Sequence, residues 1–233
     1  MISSELLDAA GRRRSPATMP GFHCGRPPRN KGRSYPADPP TVEEIVAVMR
    51  RACDRTPGLR TRALIVVLWR AGLRINEAMS LNESDLDPAR GSILIRRGKG
   101  GRRRQVGMDA LGWDHLNRWL EVRVTMPVGA LLCVLAGPTA GRPWSATAAR
   151  ATLRHLAVSA GVRRRFAPHQ LRRAHAVEMA REGVPLVVIQ RQLGHYANLG
   201  ITSIYLEGID SSEIINTVHR RPAPVLPASA GLR

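Results

Sequence analysis

The sequence predicts an α+β domain that is mainly helical and carries a small three-stranded antiparallel sheet. Several windows place apolar residues three and four positions apart, which is the period of an amphipathic helix. Two segments, 92–96 and 102–107, alternate as strands and are joined by a Gly-rich hairpin turn. A short apolar run at 131–135, which ends in Gly137-Pro138, provides the third predicted strand.

The helices are predicted from caps and apolar stripes. Thr41, with Glu44 three residues later, forms a capping box that starts a helix continuing to Cys53. Residues 59–71 are almost continuously apolar, so the second helix is buried. Further helices are predicted at 109–122, at 145–160 with Ser145 as the cap, at 168–183, at 185–194 and at 210–219.

Charge is the strongest compositional signal. The chain has 36 Lys and Arg against 18 Asp and Glu, a formal net charge of +18. Such an excess predicts a polyanionic partner, with nucleic acid as the first candidate and an anionic membrane as the second. The longest strongly apolar run, residues 63–69, is too short to span a bilayer, and no secretory signal is evident. We therefore expect a cytoplasmic protein that binds nucleic acid and no membrane.

The cysteines and histidines predict neither a metal site nor a cofactor. Cys24, Cys53 and Cys133 are widely separated and form no C-x-x-C pair, so we expect free thiols in a reducing cytoplasm. Four histidines lack carboxylate or cysteine neighbours at ligand spacing: His115, His155, His175 and His219.

Composition divides the chain into three segments. Residues 1–40 are rich in Gly, Pro and Arg and poor in apolar side chains, so burial cannot offset the entropy of ordering them. We expect a disordered basic arm there, which either lies along DNA phosphates or is a solvated linker. Residues 41–220 contain the predicted helices and strands and form the folded domain. Residues 221–233 are rich in Pro and Ala, and we expect a disordered C-terminal tail.

The stretch from 168 to 205 contains the residues with the clearest chemistry. His169 and Arg172 are three apart and so share one face of a helix. Gly194 ends the next predicted helix and leaves His195 just past its C-terminus. Tyr205 follows ten residues later. Two histidines, an arginine and a tyrosine on one scaffold indicate a site for an oxyanion such as a phosphate.

Two upstream segments add an arginine and a lysine. Arg74 lies in the run A-G-L-R-I-N-E-A-M-S-L at 71–81, and Glu77 is one helical turn away, where it can orient the guanidinium. Lys99 lies at the turn between the two strands, although all but two of the basic residues are arginine. Cationic neighbours readily lower the pKa of a lysine, whereas arginine stays charged, so Lys99 is the better proton donor.

Together these motifs resemble the tyrosine recombinase (phage integrase) family. The family order is an arginine box, a hairpin lysine, H-x-x-R, L-G-H and a tyrosine nucleophile, and this chain has all five in that order. The resemblance covers residues 41–220 and implies a tyrosine-recombinase-like catalytic domain. It departs from the family in one respect, because only forty residues precede Thr41 where an N-terminal core-binding domain is usual. We expect a minimal member without that domain, a fragment, or a protein that depends on a partner.

The resemblance implies metal-independent and ATP-independent cleavage of DNA. Arg74 and Arg172 would bind the non-bridging phosphate oxygens, and His195 would add a hydrogen bond. Tyr205 would attack phosphorus to form a 3′-phosphotyrosine, with His169 as acid–base partner. Lys99 would protonate the leaving 5′-oxygen. Tyr196 is a competing candidate for the nucleophile. The predicted DNA-binding residues are Arg97, Arg102, Arg103 and Arg104 around the hairpin, and Arg173 on the H-x-x-R helix.

The function implied is site-specific recombination: integration, excision or inversion of a mobile element. Two alternatives stay open on the sequence. Residues 184–205 also fit a helix-turn-helix, which would make the chain a catalytically inactive DNA-binding protein. A type IB topoisomerase-like enzyme would use the same chemistry to relax supercoils. The family implies a tetramer on two double-stranded DNA sites, and the C-terminal helix near 210–220 is the candidate for docking on a neighbour. We also expect a monomer in free solution and an accessory or companion recombinase.

Overall fold

The computed structural model describes residues 39–98, 101–194 and 211–224, which belong to one compact unit. Its helices are α1 (Val42–Arg51), α2 (Thr56–Trp69), α3 (Ile75–Met79), α4 (Ala110–Arg123), α5 (Ala146–Ser159), α6 (Pro168–Arg181), α7 (Leu186–Leu193) and α8 (Ser211–His219). Its strands are β1 (Leu86–Asp87), β2 (Ser92–Ile95) and β3 (Arg104–Gly107). Each predicted helix is present within a few residues of its expected bounds. No helix in the described ranges is long and apolar enough to cross a membrane.

Side-chain caps fix where the helices begin. Thr41 Oγ1 accepts the backbone N–H of Glu44 at 3.3 Å, and the Thr41 N–H donates to Glu44 Oε2 at 2.9 Å, which confirms the predicted capping box. Ser145 caps α5 through the N–H of Ala148, and Asp109 caps α4 through the N–H of Gly112. These caps satisfy backbone donors that no helical carbonyl can reach.

Helix α2 is the centre of the hydrophobic core, as its apolar sequence predicts. Every side chain from 63 to 69 is fully buried, and the helix packs against α4 on one side and α6 on the other. An all-round apolar helix is stable only when other elements surround it. The packing around α2 therefore holds its C-terminal end in place, and the chain turns from there toward Arg74.

The sheet is antiparallel in the order β1-β2-β3, with Ile93 opposite Leu86 on one side and Val106 on the other. The predicted hairpin of β2 and β3 is confirmed, but the third strand predicted at 131–135 is wrong. That segment makes only an isolated bridge, between Cys133 and Pro143, and its apolar side chains pack into the core. A continuous apolar run indicates that a segment is buried, but it does not show that the segment pairs with another strand. Strand β1 has only two residues, so it is too short to show the alternation of apolar and polar residues that predicts a strand.

Helix α8 packs on its own chain rather than projecting from it. Ile215 and Val218 are buried, and a Cβ on Gly107 of β3 would lie 2.7 Å from the Val218 Cβ. Helix α8 therefore packs against β3 of its own chain in this structure, and the docking of a helix near 210–220 on a neighbour stays a prediction. Arg221, the first residue of the predicted disordered tail, is also buried. The folded part of the chain extends at least that far.

A buried ion-pair network joins several of these helices. Arg70, at the end of α2, donates to Asp109 through Nε at 2.7 Å and to Glu178 of α6 through Nη1 at 2.6 Å. Arg221 donates to Glu182 at 2.8 Å and contacts the ring of His175 at 2.9 Å. Burial raises the pKa of Glu178, although hydrogen bonding from Trp69 and the charge of Arg70 oppose that shift. The network fixes α6 relative to α2, α4 and the end of α8.

Candidate phosphate-binding site

A pocket of about 220 Å³ opens between the turn after α2 and the N-terminus of α6. It brings together three of the residues predicted from the sequence: Arg74, His169 and Arg172. Arg150 of α5 and Arg165, just before α6, line the same pocket and were not predicted as site residues. Four further candidates lie outside the described residues: Lys99, His195, Tyr196 and Tyr205.

A tight turn places Arg74 at the rim of this pocket. Gly72 has a φ of +66°, and a Cβ there would lie 2.5 Å from Cδ2 of His175 on α6. Both the backbone conformation and the close approach of α6 therefore require glycine. Arg74 follows as the N-cap of α3, with 28% of its side chain exposed to solvent.

Backbone carbonyls hold Arg172 on the opposite side. Its Nη1 donates to the carbonyl of Gly72, and its Nη2 donates to the carbonyl of Leu193 at the end of α7. Burial, and then the charge of Arg74, lower its pKa to about 9, so the guanidinium is still a cation at neutral pH. Two cations on separate elements thus face one pocket, and each is held in place by the protein.

Glu77 is the buried partner of Arg74, as its spacing predicts. Its Oε1 accepts from Nη1 of Arg74 at 2.9 Å, and its Oε2 accepts the Arg74 N–H at 2.8 Å. The same carboxylate accepts both terminal nitrogens of Arg104, each at 2.8 Å. Burial acts to raise the pKa of Glu77, but hydrogen bonds from Arg104 and Arg74 outweigh it and hold the pKa at about 2. Glu77 is therefore ionised throughout the neutral range.

The structure corrects the expected position of Arg104. Arg104 was predicted to bind DNA, but its side chain is only 8% exposed and its guanidinium is bound to Glu77. A Cβ on Gly98 would lie 2.8 Å from its Nη1, and a Cβ on Gly194 would lie 2.9 Å from its Nε. The Arg104 side chain therefore lies between Gly98, which precedes Lys99, and Gly194, which precedes His195. Strand alternation is the signal that was missed, since Arg104 shares a face with buried Val106.

His169 lies on the first turn of α6 at the open side of the pocket. Partial burial, followed by the charges of Arg165 and Arg173, lowers the pKa of His169, which favours the neutral imidazole that can accept a proton. Arg173 is exposed on the same helix, and Arg97, Arg102 and Arg103 are exposed at the hairpin.

Comparison with known proteins identifies this architecture. The family model for the phage integrase family matches residues 40–211, which is most of the chain. The chain belongs to the phage integrase family. The tyrosine recombinase XerC 2 of Ralstonia nicotianae is 33% identical over 188 residues, covering 79% of this chain and 52% of that protein. The type 1 fimbriae regulatory protein FimE of Escherichia coli K12 is 30% identical over 155 residues, covering 66% of this chain and 78% of FimE.

Solved structures confirm the predicted fold class. The crystal structure of XerA recombinase superimposes with a TM-score of 0.60 at 26% identity, covering 80% of this chain and 66% of XerA. The XerH recombinase bound to a palindromic difH substrate gives 0.56 at 27% identity, covering 70% of this chain and 46% of XerH. The mainly helical domain with a small antiparallel sheet is thus a tyrosine recombinase catalytic fold. The chain spans about half the length of XerC 2, the first relative named.

Proposed function

We propose that this protein is a site-specific DNA recombinase that cuts and rejoins strands through a 3′-phosphotyrosine intermediate. One observation carries the proposal: Arg74 and Arg172, held by Glu77 and by backbone carbonyls, face a single pocket that His169 also lines. Two preorganised guanidinium groups neutralise the charge that develops on a phosphorane without any metal. Family membership and the XerH–difH complex support DNA as the substrate.

The remaining steps use predicted residues. The Tyr205 hydroxyl attacks phosphorus, and its proton passes to His169. The P–O5′ bond breaks, and Lys99 gives a proton to the departing 5′-oxygen, leaving a 3′-phosphotyrosine and a free 5′-hydroxyl. A 5′-hydroxyl from a second strand reverses these steps, so ligation needs no ATP. Loss of one preorganised donor such as Arg74 is expected to slow cleavage by roughly 10²- to 10³-fold.

Other residues support this site. We assign Arg97, Arg102, Arg103 and Arg173 to phosphate contacts along the duplex. Glu77 and Arg104 instead hold Arg74, since both are buried and paired with each other.

We also propose that four copies act on two DNA sites, with an accessory or companion recombinase, to integrate, excise or invert a mobile element. The free thiols Cys53 and Cys133 support a reducing cytoplasm as the location.

A nicked suicide duplex tests the proposal directly. The protein is incubated with duplexes that tile candidate flanking DNA, and covalent adducts are resolved on a denaturing gel. We expect an adduct that Tyr205→Phe abolishes and that the matched variant Tyr196→Phe retains. Failure to form an adduct on any duplex would favour a DNA-binding protein without activity. Joining of two separate sites, as opposed to relaxation of a supercoiled plasmid alone, distinguishes a recombinase from a topoisomerase.

A further inference from the structure

One buried glutamine joins three segments of the chain beside the phosphate pocket. Gln192 lies on α7, two residues before Gly194, and its side chain is fully buried. Its Nε2 donates to the carbonyl of Ala71 at 3.0 Å and to the carbonyl of Gly107 at 2.7 Å. Its Oε1 accepts the Gly107 N–H at 3.0 Å. Both polar atoms of the side chain are therefore paired with the backbone of other segments.

The backbone groups that Gln192 binds require an amide at this position. Because the N–H of Met108 donates to the Gly91 carbonyl, the alternation of an antiparallel pair directs the N–H and C=O of Gly107 away from β2. Ala71 lies just past the end of α2, where the helix supplies no further N–H donors. Only an amide offers an acceptor for the N–H together with donors for both carbonyls, and this pattern fixes which way the amide points.

Two of the joined segments supply the carbonyls that hold Arg172. One acceptor, the carbonyl of Gly72, belongs to the residue after Ala71. The other, the carbonyl of Leu193, belongs to the residue after Gln192. The two segments also meet directly, because a Cβ on Gly72 would lie 3.1 Å from Cδ2 of Leu193. The hydrogen bond from Gln192 to Ala71 is thus one residue away from each acceptor, and it fixes the separation of the two.

The separation of these carbonyls matters because of how Arg172 is held. Arg74 is bound by a carboxylate, that of Glu77, on the helix that Arg74 itself caps. Arg172 is bound by peptide oxygens of two segments that are far apart in sequence. A shift of α7 relative to the turn after α2 would separate those oxygens and move the guanidinium. A misplacement of about 1 Å in a preorganised site can cost about 10²-fold in rate.

We propose that Gln192 is a positioning residue for DNA cleavage: it sets the separation of the two peptide oxygens that hold Arg172, and thereby the place of that guanidinium at the phosphate. Gln192 does not line the phosphate pocket itself. Its bonds to Gly107 tie the same point to β3, the strand whose Arg104 holds Glu77. Both halves of the phosphate site therefore share one anchor. This inference rests on the proposed function for the reaction that it serves.

Gln192→Met tests the proposal, because methionine keeps the unbranched shape of glutamine but cannot replace its hydrogen bonds. The matched control Trp119→Phe removes another buried hydrogen bond to a backbone carbonyl, that of Leu131, away from the phosphate pocket. Single-turnover cleavage of the nicked suicide duplex is measured at saturating protein, and Kd is measured by fluorescence anisotropy. Thermal melting checks that each variant is folded at the assay temperature. Gln192→Asn, which withdraws the amide by one methylene, is the second variant if Gln192→Met does not fold.

We expect the Gln192 variants to slow cleavage by about 10- to 100-fold while Kd stays within about twofold of the wild type. Trp119→Phe should keep the wild-type rate, although its melting temperature falls. A double-mutant cycle shows whether the effect passes through Arg172. In an Arg172→Lys background, Gln192→Met should slow cleavage by less than about twofold, because lysine lacks the planar group that binds both carbonyls.

Three results would overturn the inference: a wild-type rate in a folded Gln192 variant, an equal slowing in Trp119→Phe, or effects of Gln192→Met and Arg172→Lys that simply multiply. Hydrogen exchange tests the anchoring without DNA. Amide exchange in residues 71–74 and 104–108 should rise in Gln192→Met but not in Trp119→Phe, and a rise confined to 186–194 would contradict the proposal. Failure of the proposed function gives a different pattern, because the wild type would form no covalent adduct while the rise in exchange would still support the anchoring of Arg172.

Discussion

The pair of Arg104 and Glu77 allows the assignment of supporting residues to be tested quantitatively. Arg104→Lys keeps the charge but exchanges the guanidinium group for an ammonium group. The guanidinium makes two hydrogen bonds of 2.8 Å to Glu77, which a single ammonium group cannot reproduce. Loss of one hydrogen bond to a buried charged group costs about 1.5–3 kcal/mol. We expect the free energy of unfolding to fall by about 2 kcal/mol, measured from urea denaturation.

The same variant should slow cleavage without weakening DNA binding. Arg104 is buried and holds Glu77, which in turn holds Arg74, so its replacement loosens a phosphate ligand and leaves the DNA-facing surface intact. Single-turnover cleavage of the suicide duplex measures the rate, and anisotropy measures Kd. Arg103→Lys is the matched control, because its side chain is exposed on the same hairpin and should change neither stability nor rate. A weaker Kd with an unchanged cleavage rate in Arg104→Lys would refute the reasoning and restore Arg104 as a DNA contact.

Three further predictions concern stability. The pKa of Glu77 is lowered from 4.5 to about 2, so ionised Glu77 contributes about 3 kcal/mol above pH 5 that is lost as the pH falls toward 2. Urea unfolding across that window should show a loss of stability that is about 3 kcal/mol larger in the wild type than in Glu77→Gln. Gly72→Ala should destabilise the fold by more than the 1–2 kcal/mol expected of Gly161→Ala, since both have positive φ but only Gly72 has a side chain within contact distance. Asp109→Asn should lower the free energy of unfolding by about 3 kcal/mol, because it leaves Arg70 buried with one carboxylate instead of two. Thermal melting measures the change, and an unchanged Tm would contradict a stabilising role for the pair of Arg70 and Asp109.

Local sequence patterns predicted the features of this molecule that interactions between residues close in sequence determine. The capping box at Thr41, the cap at Ser145 and the i, i+3 spacing of His169 and Arg172 each follow from helix geometry, and the structure has them. Glu77 was likewise predicted to orient Arg74 from its spacing alone, and their hydrogen bonds are present.

The features that were missed depend on packing between distant segments. Arg150 lies at the phosphate pocket where α5 packs against α3, Arg165 lies there just before α6, and no motif in their own sequence marks them. Arg104 was misplaced because a run of three arginines indicates an exposed basic patch, while the alternation of a four-residue strand is a weak signal. The third strand was misplaced for a similar reason, since β1 has only two residues and its pairing with β2 decides its identity.

The anchoring of Arg172 has a consequence for how far related sequences can diverge. Its guanidinium is held by two peptide oxygens, and every amino acid supplies such an oxygen whatever its side chain. Replacement of Leu193, for example, changes the side chain at that position but keeps the carbonyl oxygen that accepts the hydrogen bond from Arg172. The position of this cation is therefore set by the path of the main chain and not by the side chains at positions 72 and 193.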